Sequence, residues 1–247
     1  MTFREGQFNC MIKSKVKIEG YEVFPDGTVK LSALMKHMQQ AACDDLDQYG
    51  ATYANMRGDD LVFVIIKVGI SFRGEIRKGD EIEIMTLNTD VQGIVFIREF
   101  VIYKGGLPVA QATTHWVLMS YSKRIPVRPS MLKYTTTSPQ MALEGVELPR
   151  KLLEDEQFES ETEHKVVFSE LDENSHMNNT VYADLIYDYA PYNIEKHVKT
   201  CRIYYNGEAR LGDMLNIRVK KTDSGHIVSC VNKESGKSCF EAKISFA

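Results

Sequence analysis

The chain of 247 residues lacks several features that would place it in a protein class at once. Its longest apolar run, Leu61 to Ile66, is far shorter than a membrane-spanning helix and is typical of a buried strand. The five cysteines are odd in number and match neither a zinc-ligand spacing nor a C-x-x-C motif. The amino-terminal residues lack the apolar core of a signal peptide. We therefore expect a cytoplasmic protein with reduced thiols and no membrane span.

An excess of positive charge is also missing. The formal net charge is −4, which gives no support for nucleic-acid binding. Apart from one residue discussed below, the histidines are scattered without metal-ligand spacing, so we expect neither a metal nor a cofactor. A hydrophobic content of 43% and a charged content of 26% are ordinary for a globular protein with a substantial core.

Hydrophobic periodicity divides the chain into two halves with one plan. In the first half, Lys13 to Phe24 alternates as a strand and Pro25-Asp26-Gly27 indicates a turn. Apolar residues then recur at helical spacing from Leu31, and Gly50 is a plausible stop. The strands predicted to follow are Leu61–Phe72, Asp80–Asp90, Ile94–Tyr103 and Val109–Tyr121.

The second half repeats this plan in shorter form. His164 to Phe168 is predicted as a strand and Thr180 to Tyr189 as the helix. The later strands are Val198–Tyr205, Asp213–Lys221, Ile227–Asn232 and Ser238–Phe246. The segment Pro126 to Phe158 has little periodicity and reads as a linker with a short helix around Pro149 to Glu156. The domain division that we predict is 1–130, a linker over 131–158, and 159–247.

A local match supports duplication of one unit. Phe72 to Asp80 aligns without gaps on Tyr205 to Asp213, and five of the nine positions are identical. A shared preference for turns is the alternative. The turns before the helices pair with Asp26 opposite Asp172, so that Thr28 and Lys30 fall opposite Asn174 and His176. The first copy then has about 13 additional residues, placed between Gly50 and Leu61, and lacks the polar set of the second.

The segment Asp172 to Asn179, just before the second helix, has the strongest chemical signal. Asp172, Asn174 and His176 occupy alternate positions, which predicts three side chains on one side of an extended strand end. A carboxylate, an amide and an imidazole together can position a water, polarise a carbonyl and move a proton at neutral pH. The alternative is that Asn178 or Asn179 only caps the helix and His176 is an ordinary surface histidine.

The run Glu170 to Tyr182 resembles the signature of the acyl-acyl carrier protein thioesterases of plants and bacteria. The first half agrees with that family at Tyr21 to Gly27 and at Thr114 to Met119, so the resemblance extends from about Lys13 to Phe246. It implies an α+β fold, a tandem double hotdog in which each half wraps a long antiparallel sheet around a central helix. The first half would be the non-catalytic copy and would hold the acyl chain.

The resemblance also implies residue roles. The proposed catalytic groups of the family fall on Asp172, Asn174, His176 and Glu208. Backbone N–H groups near Asn178 and Asn179 would stabilise the oxyanion.

Glu208 could be a general base or a covalent nucleophile. It could also only serve the turn, since Glu75 holds the matching place in the first half. The cysteine that follows this glutamate in some plant members is Ala209 here.

The sequence gives weaker signals for the residues that would bind the two ends of the substrate, the alkyl chain and the carrier protein. Met35 and Met38 are either ordinary core or part of a tunnel for an alkyl chain. Acyl carrier proteins are acidic, and a basic docking surface around Lys123, Arg124 and Arg128 is expected from local density, with a solvated loop as the alternative.

The function expected is hydrolysis of an acyl-acyl carrier protein thioester, which releases a free fatty acid and ends or trims fatty acid synthesis. Three alternatives stay open: hydrolysis of acyl-coenzyme A, a dehydratase or hydratase, and a non-catalytic acyl-binding protein. The acyl carrier protein is the partner expected, and the chain is either a monomer or a homodimer, because a tandem double hotdog contains the pairing that single hotdogs achieve by dimerising.

Overall fold

The structure is a computed structural model, and it describes residues 13–134, 143–153, 156–190 and 197–247. Cys10 and part of the predicted linker lie outside the described residues. The strands are β1 (Lys13–Lys17), β2 (Leu61–Phe72), β3 (Glu81–Gln92), β4 (Val95–Lys104), β5 (Leu107–Ser120), β6 (Ser160–Lys165), β7 (Val198–Tyr205), β8 (Met214–Thr222), β9 (Gly225–Asn232) and β10 (Ser238–Phe246). The helices are α1 (Leu31–Gln48), α2 (Tyr53–Gly58) and α3 (Val181–Tyr189), with 3-10 turns at Gly20–Glu22, Pro129–Met131 and Phe168–Glu170.

All of these strands pair antiparallel in one sheet. Its order is β1-β3-β4-β5-β2-β7-β10-β9-β8-β6, so the second half mirrors the first. The two halves join where β2 pairs with β7, with Val68 opposite Ile203 and Gly69 opposite Arg202. This arrangement has a pseudo-two-fold relation, as duplication predicts.

The core lies where the sheet covers α1 and α3, which also contact each other. On α1, Leu34, Met38 and Ala41 recur at spacings of three and four residues and are at most 2% exposed. On α3, Leu185 and Ile186 are both 1% exposed. Burying these apolar stripes against the sheet is what fixes the two helices in place.

Most strand boundaries agree with the sequence to within a few residues, and β2, β7 and β10 coincide with their predicted ranges. The first strand is shorter than predicted because the chain turns at Gly20–Glu22, where the side chain of Glu22 accepts the backbone N–H of Glu19 at 2.8 Å. The predicted helix around Pro149 to Glu156 was wrong over its described residues, which have no helix. The carbonyl oxygen of Pro149 instead accepts hydrogen bonds from Lys67 and Tyr204 across the sheet.

The pairing of the two turns was wrong by two positions. An isolated bridge joins Val23 to Val29 in the first copy and Leu171 to Met177 in the second. The same backbone hydrogen bonds then place Thr28 opposite His176, and Phe24 opposite Asp172. The sequence was misleading because Asp26 and Asp172 each accept the backbone N–H two residues further on, yet they occupy different places in the turn.

Among the described helices, none combines the length and the apolar character needed to cross a lipid bilayer.

Candidate active site

The segment from Asp172 to His176 forms a tight turn, not the extended strand end that its alternation predicted. The N–H of Asp172 donates to the carbonyl oxygen of His176 at 2.8 Å, and Ser175 adopts a φ of 61°. One carboxylate oxygen of Asp172 accepts the backbone N–H of Asn174 at 2.8 Å and that of His176 at 3.4 Å. Asp172 therefore stabilises the turn by accepting its backbone N–H groups, through contacts with the main chain of Asn174 and His176.

A short ladder brings this turn to the strand connection that carries Glu208. The N–H of Met177 donates to the carbonyl oxygen of Ala209 at 2.8 Å, and His176 forms a bridge with Arg210. As a result, Nε2 of His176 lies 3.1 Å from Oε2 of Glu208. The imidazole is 13% exposed and the carboxylate 44%, so the pair lies at the surface end of the core.

The repeated connection is closed by aspartate in both copies. Asp213 accepts the N–H of Arg210 at 2.9 Å, and Asp80 accepts the N–H of Arg77 at 2.7 Å. Glu75, the counterpart of Glu208, instead meets Nε2 of His197 at 2.6 Å. Because the aspartates make these turn contacts, the two glutamates are left to contact histidine and arginine side chains.

An arginine from the first half enters the second-half site. Arg124 has a φ of 56°, and its guanidinium donates to Oε2 of Glu208. The same Nη2 lies 3.2 Å from Nε2 of His176. A guanidinium only donates, so this contact favours an unprotonated Nε2, whereas the carboxylate oxygen of Glu208 at 3.1 Å favours a proton on the same atom. Arg124 and Glu208 therefore act on Nε2 in opposite senses. Burial lowers the pKa of His176, Glu208 opposes that shift, and Arg124 adds to it.

A second arginine from the first half fixes the amide of Asn174. Nη2 of Arg57 donates to Oδ1 of Asn174 at 3.2 Å and to the hydroxyl of Tyr53 at 2.6 Å. The guanidinium carbon lies 3.2 Å from the centre of the Tyr121 ring, which holds it in place by a cation–π contact. Because Arg57 engages the oxygen, the Nδ2 group of Asn174 is directed away from it and can donate elsewhere.

The backbone N–H of Asn178, one of the two predicted oxyanion donors, is already bonded within the fold. The N–H of Asn178 donates to the carbonyl oxygen of Glu170 at 2.8 Å, so that part of the prediction was wrong. The side chain of Asn178 accepts the N–H of Thr180 at 2.9 Å, which is a capping role just before α3. Asn179 lines a small void and accepts the hydroxyl of Tyr205 through its carbonyl at 2.9 Å.

A larger cavity of about 280 Å³ opens beside the turn, since Glu173 and Asn174 line it. Its walls come from the second half of α1, from α2 and from the inner face of β2 to β5. The apolar wall residues include Ala42, Leu46, Ala51, Met56, Leu61, Val62, Phe63, Phe96 and Trp116. Met35 and Met38 do not line it; they lie in the core beside the void of about 20 Å³ that reaches Asn179.

No group of three or more His, Cys, Asp or Glu side chains in the described ranges is arranged to hold a metal ion. Sequence reasoning missed Arg57, because it lies in the insertion after Gly50 and has no local motif. Arg124 was assigned to a docking surface, and only the fold shows that its side chain lies at Glu208.

Comparison with known proteins identifies the family of the chain. The family model for the acyl-ACP thioesterase N-terminal domain matches residues 9–131, and the model for the C-terminal domain matches residues 153–247. An acyl-ACP thioesterase from Bacteroides thetaiotaomicron has 18% sequence identity and a TM-score of 0.83, covering 97% of this chain and 98% of its own.

The 12:0-ACP thioesterase from Umbellularia californica has 18% identity and a TM-score of 0.78, with the same coverage of 97% and 98%. A search of curated protein sequences gives no significant match. The structural likenesses confirm the predicted double-hotdog fold. With both family models matched over most of its length, the chain belongs to the acyl-ACP thioesterase family.

Proposed function

We propose that the thioester of an acyl-acyl carrier protein is hydrolysed at the His176–Glu208 pair, with Asn174 polarising its carbonyl. Acyl-ACP thioester hydrolysis is the activity of the family to which this chain belongs. The observation that supports the site is the 3.1 Å approach of Nε2 of His176 to Oε2 of Glu208, beside an amide whose donor end is free to face a substrate.

In the reaction, a water attacks the carbonyl carbon while its proton passes to Nε2 of His176. Glu208 then accepts a hydrogen bond from the imidazolium and stabilises it. When the carbon–sulfur bond breaks, the thiolate sulfur takes the proton back from Nε2, which leaves a free carboxylic acid and a free thiol. Water and substrate displace the contact between Arg124 and His176, while the bond from Arg124 to Glu208 can persist.

This route is favoured over attack by Glu208 itself. The oxygen of Glu208 nearest the histidine already accepts a hydrogen bond from Arg124. A carboxylate oxygen held by a guanidinium is a weaker nucleophile, whereas its charge still stabilises an imidazolium. The developing oxyanion accepts from Nδ2 of Asn174, whose orientation Arg57 fixes, and the N–H of Asn179 is the second candidate donor.

The cavity between α1, α2 and the first-half sheet holds the acyl chain in this proposal. It is lined mainly by apolar side chains and it begins at Asn174, so a chain inside it has its carbonyl end at the turn. Met56, not Met35 or Met38, is the methionine that lines it.

For the carrier protein, Lys123 and Arg128 are exposed next to the site and form the basic surface that we propose for docking. Arg124, between them in the chain, has its guanidinium turned to Glu208. In this proposal, both exposed side chains contact an acidic partner whose pantetheine arm reaches the turn.

The test is release of free thiol from a panel of acyl-acyl carrier protein thioesters. Glu208→Gln and His176→Ala are compared with Glu75→Gln, which makes the same change in the other copy. We expect the first two variants to lose about a hundredfold or more in kcat while staying folded, and Glu75→Gln to stay near wild type.

Equal losses in Glu208→Gln and Glu75→Gln would show that the glutamate only supports the repeated connection. A wild-type protein that is inert on all carrier-protein thioesters would overturn the proposal. The same acyl groups on coenzyme A, and hydration of an enoyl thioester, measure the alternative reactions.

A further inference from the structure

A second cavity, of about 300 Å³, lies beside the turn of the first half. It is bounded by that turn, by the connection from β2 to β3, by the second half of α3 and by the start of β7. Its apolar lining side chains include Phe24, Val29, Leu31, Phe72, Ile76 and Val198. Its volume is close to the 280 Å³ of the cavity proposed for the acyl chain, and among the described residues the two share no lining side chain.

This cavity occupies the place in the first half that the catalytic turn occupies in the second. Thr28 forms a bridge with Arg77, just as His176 forms one with Arg210. The first-half turn therefore meets its strand connection in the same way. Glu75, the counterpart of the proposed catalytic glutamate, lines the cavity together with Thr28.

The second half contributes a side chain here, as the first half does at the catalytic turn. The carbonyl oxygen of His197, just before β7, accepts the N–H of Ala247 at 2.9 Å, and that of Asp60, just before β2, accepts the N–H of Tyr121 at the same distance. His197 thus enters from the region of the repeat from which Arg124 reaches the other site. The two sites have the same construction.

The polar end of the cavity has cationic side chains. Lys199 and Arg73 line it and are exposed, and His197 adds an imidazole. Arg73 also pairs with Glu144 at 2.9 Å. Lys199 and His197 follow one another closely at the start of β7, so an anionic group at that position can accept hydrogen bonds from both.

The acidic side chain of the lining is compensated. One carboxylate oxygen of Glu75 lies 2.6 Å from Nε2 of His197, and the other accepts Nε of Arg77 at 2.6 Å. A protonated imidazole donates from both ring nitrogens, so His197 can contact Glu75 and a bound anion together. The apolar walls and this cationic end fit an alkyl chain that carries one negative charge.

Hydrolysis is disfavoured at this position by one exchange of side chain. Asp26 lies opposite Asn174, and its carboxylate accepts the N–H of Thr28 at 2.9 Å and the hydroxyl at 2.6 Å. A carboxylate cannot donate a hydrogen bond to an oxyanion, so it does not replace the amide that polarises a thioester carbonyl. The cavity is suited to binding and not to this reaction.

We propose that the cavity is a second binding site, which holds a free fatty acid. The alkyl chain lies between the first-half turn and Tyr187 of α3, and the carboxylate accepts hydrogen bonds from Lys199 and His197. The ligand is of the class that the proposed reaction releases, but its binding here goes beyond that reaction and does not require it.

A fluorescent reporter can be placed inside this cavity. The sequence has one tryptophan, Trp116, which lines the cavity proposed for the acyl chain. Trp116→Phe combined with Tyr187→Trp moves the single indole to the second cavity. The double variant is titrated, below the critical micelle concentration, with a fatty acid brominated along its chain. Because bromine quenches an indole only at close range, we expect saturable quenching.

Charge reversal tests the position of the carboxylate. Lys199→Glu, added to the double variant, should weaken binding about tenfold or more. The matched control is Lys221→Glu, an exposed lysine on β8 away from this cavity, which should leave the affinity unchanged. A primary alcohol of the same chain length should displace the brominated acid about tenfold less well. Equal affinities in the two lysine variants, or equal displacement by the alcohol, would overturn the assignment.

Phe24→Trp in the Trp116→Phe background covers the case in which Tyr187→Trp fills the cavity or does not fold. The ring centres of Phe24 and Tyr187 are 4.6 Å apart, so both positions report on the same space. Folded reporters without saturable quenching would overturn the inference and leave the proposed function intact. A wild-type protein that is inert on all thioesters would overturn the proposed function, while saturable quenching would still support this site.

Discussion

Nη2 of Arg124 lies 3.2 Å from Nε2 of His176, although the two residues belong to different halves of the chain. The same guanidinium bonds Glu208, so one arginine holds both members of the proposed proton-transfer pair. Beside Nε2, the guanidinium of Arg124 disfavours the imidazolium, and the neutral imidazole is the form that can accept a proton from water. It therefore connects the first half to the protonation state of the site.

Arg124→Met should change the pH dependence of the reaction. His176 works as a base only when it is neutral, and its lowered pKa extends activity below the usual histidine range near 6.5. Arg124 is one of the groups that lower this pKa, so its removal should raise the pKa and move the acid limb of kcat/KM to higher pH. In Glu208→Gln, the acid limb of the residual activity should move to lower pH. Glu208 raises the pKa of His176, so its removal lowers that pKa. An acid limb that stays in place in Arg124→Met would contradict the assignment of His176 as the base.

Substitutions of Asp172 can distinguish the effect of its negative charge from the effect of its hydrogen bonds. Its carboxylate oxygen accepts two backbone N–H groups of the turn, and the amide oxygen of an asparagine can do the same. We expect Asp172→Asn to keep kcat within about tenfold of wild type, and Asp172→Ala to lose about a hundredfold because the turn is no longer held. Steady-state kinetics with a thermal melt of each variant measure this. Equal losses in both variants would mean that the negative charge itself is required.

Arg57 should affect the chemical step more than binding. Arg57→Leu frees the amide of Asn174 to rotate, so a donor to the transition state is lost part of the time. We expect kcat to fall about ten- to a hundredfold with little change in KM. Arg57→Lys, which can still donate to Oδ1 of Asn174, should recover part of the rate. A rise in KM at constant kcat would show that Arg57 only shapes the cavity mouth.

The sequence predicted the parts of the fold that local pattern controls. The helix predicted to begin at Leu31 and the strand predicted over Leu61–Phe72 both occur in the structure. The pairing of the two turns failed because Asp26 and Asp172 make the same local contact from different positions. A local hydrogen bond reveals a turn, but only the sheet register around it shows which residues are equivalent.

The site was predictable where one segment carries it and unpredictable where distant segments meet. His176 was identified from the polar pattern of its segment and Glu208 by family resemblance, and the two side chains are in contact in the structure. Arg57 and Arg124 come from the first half, more than a hundred positions upstream of the turn in the case of Arg57. Their approach depends on how β2 and β7 join the halves, which no local pattern contains.

The junction of β2 with β7 has a consequence for how this protein could be divided or inherited. The motif turn belongs wholly to the second half, yet the residues that fix its amide and contact its imidazole come from the first. A gene fragment encoding only the second half would retain every residue of the signature and still lack two guanidinium groups and the space for an alkyl chain. Selection therefore acts on the two repeats as one heritable unit, even though only one of them displays the motif.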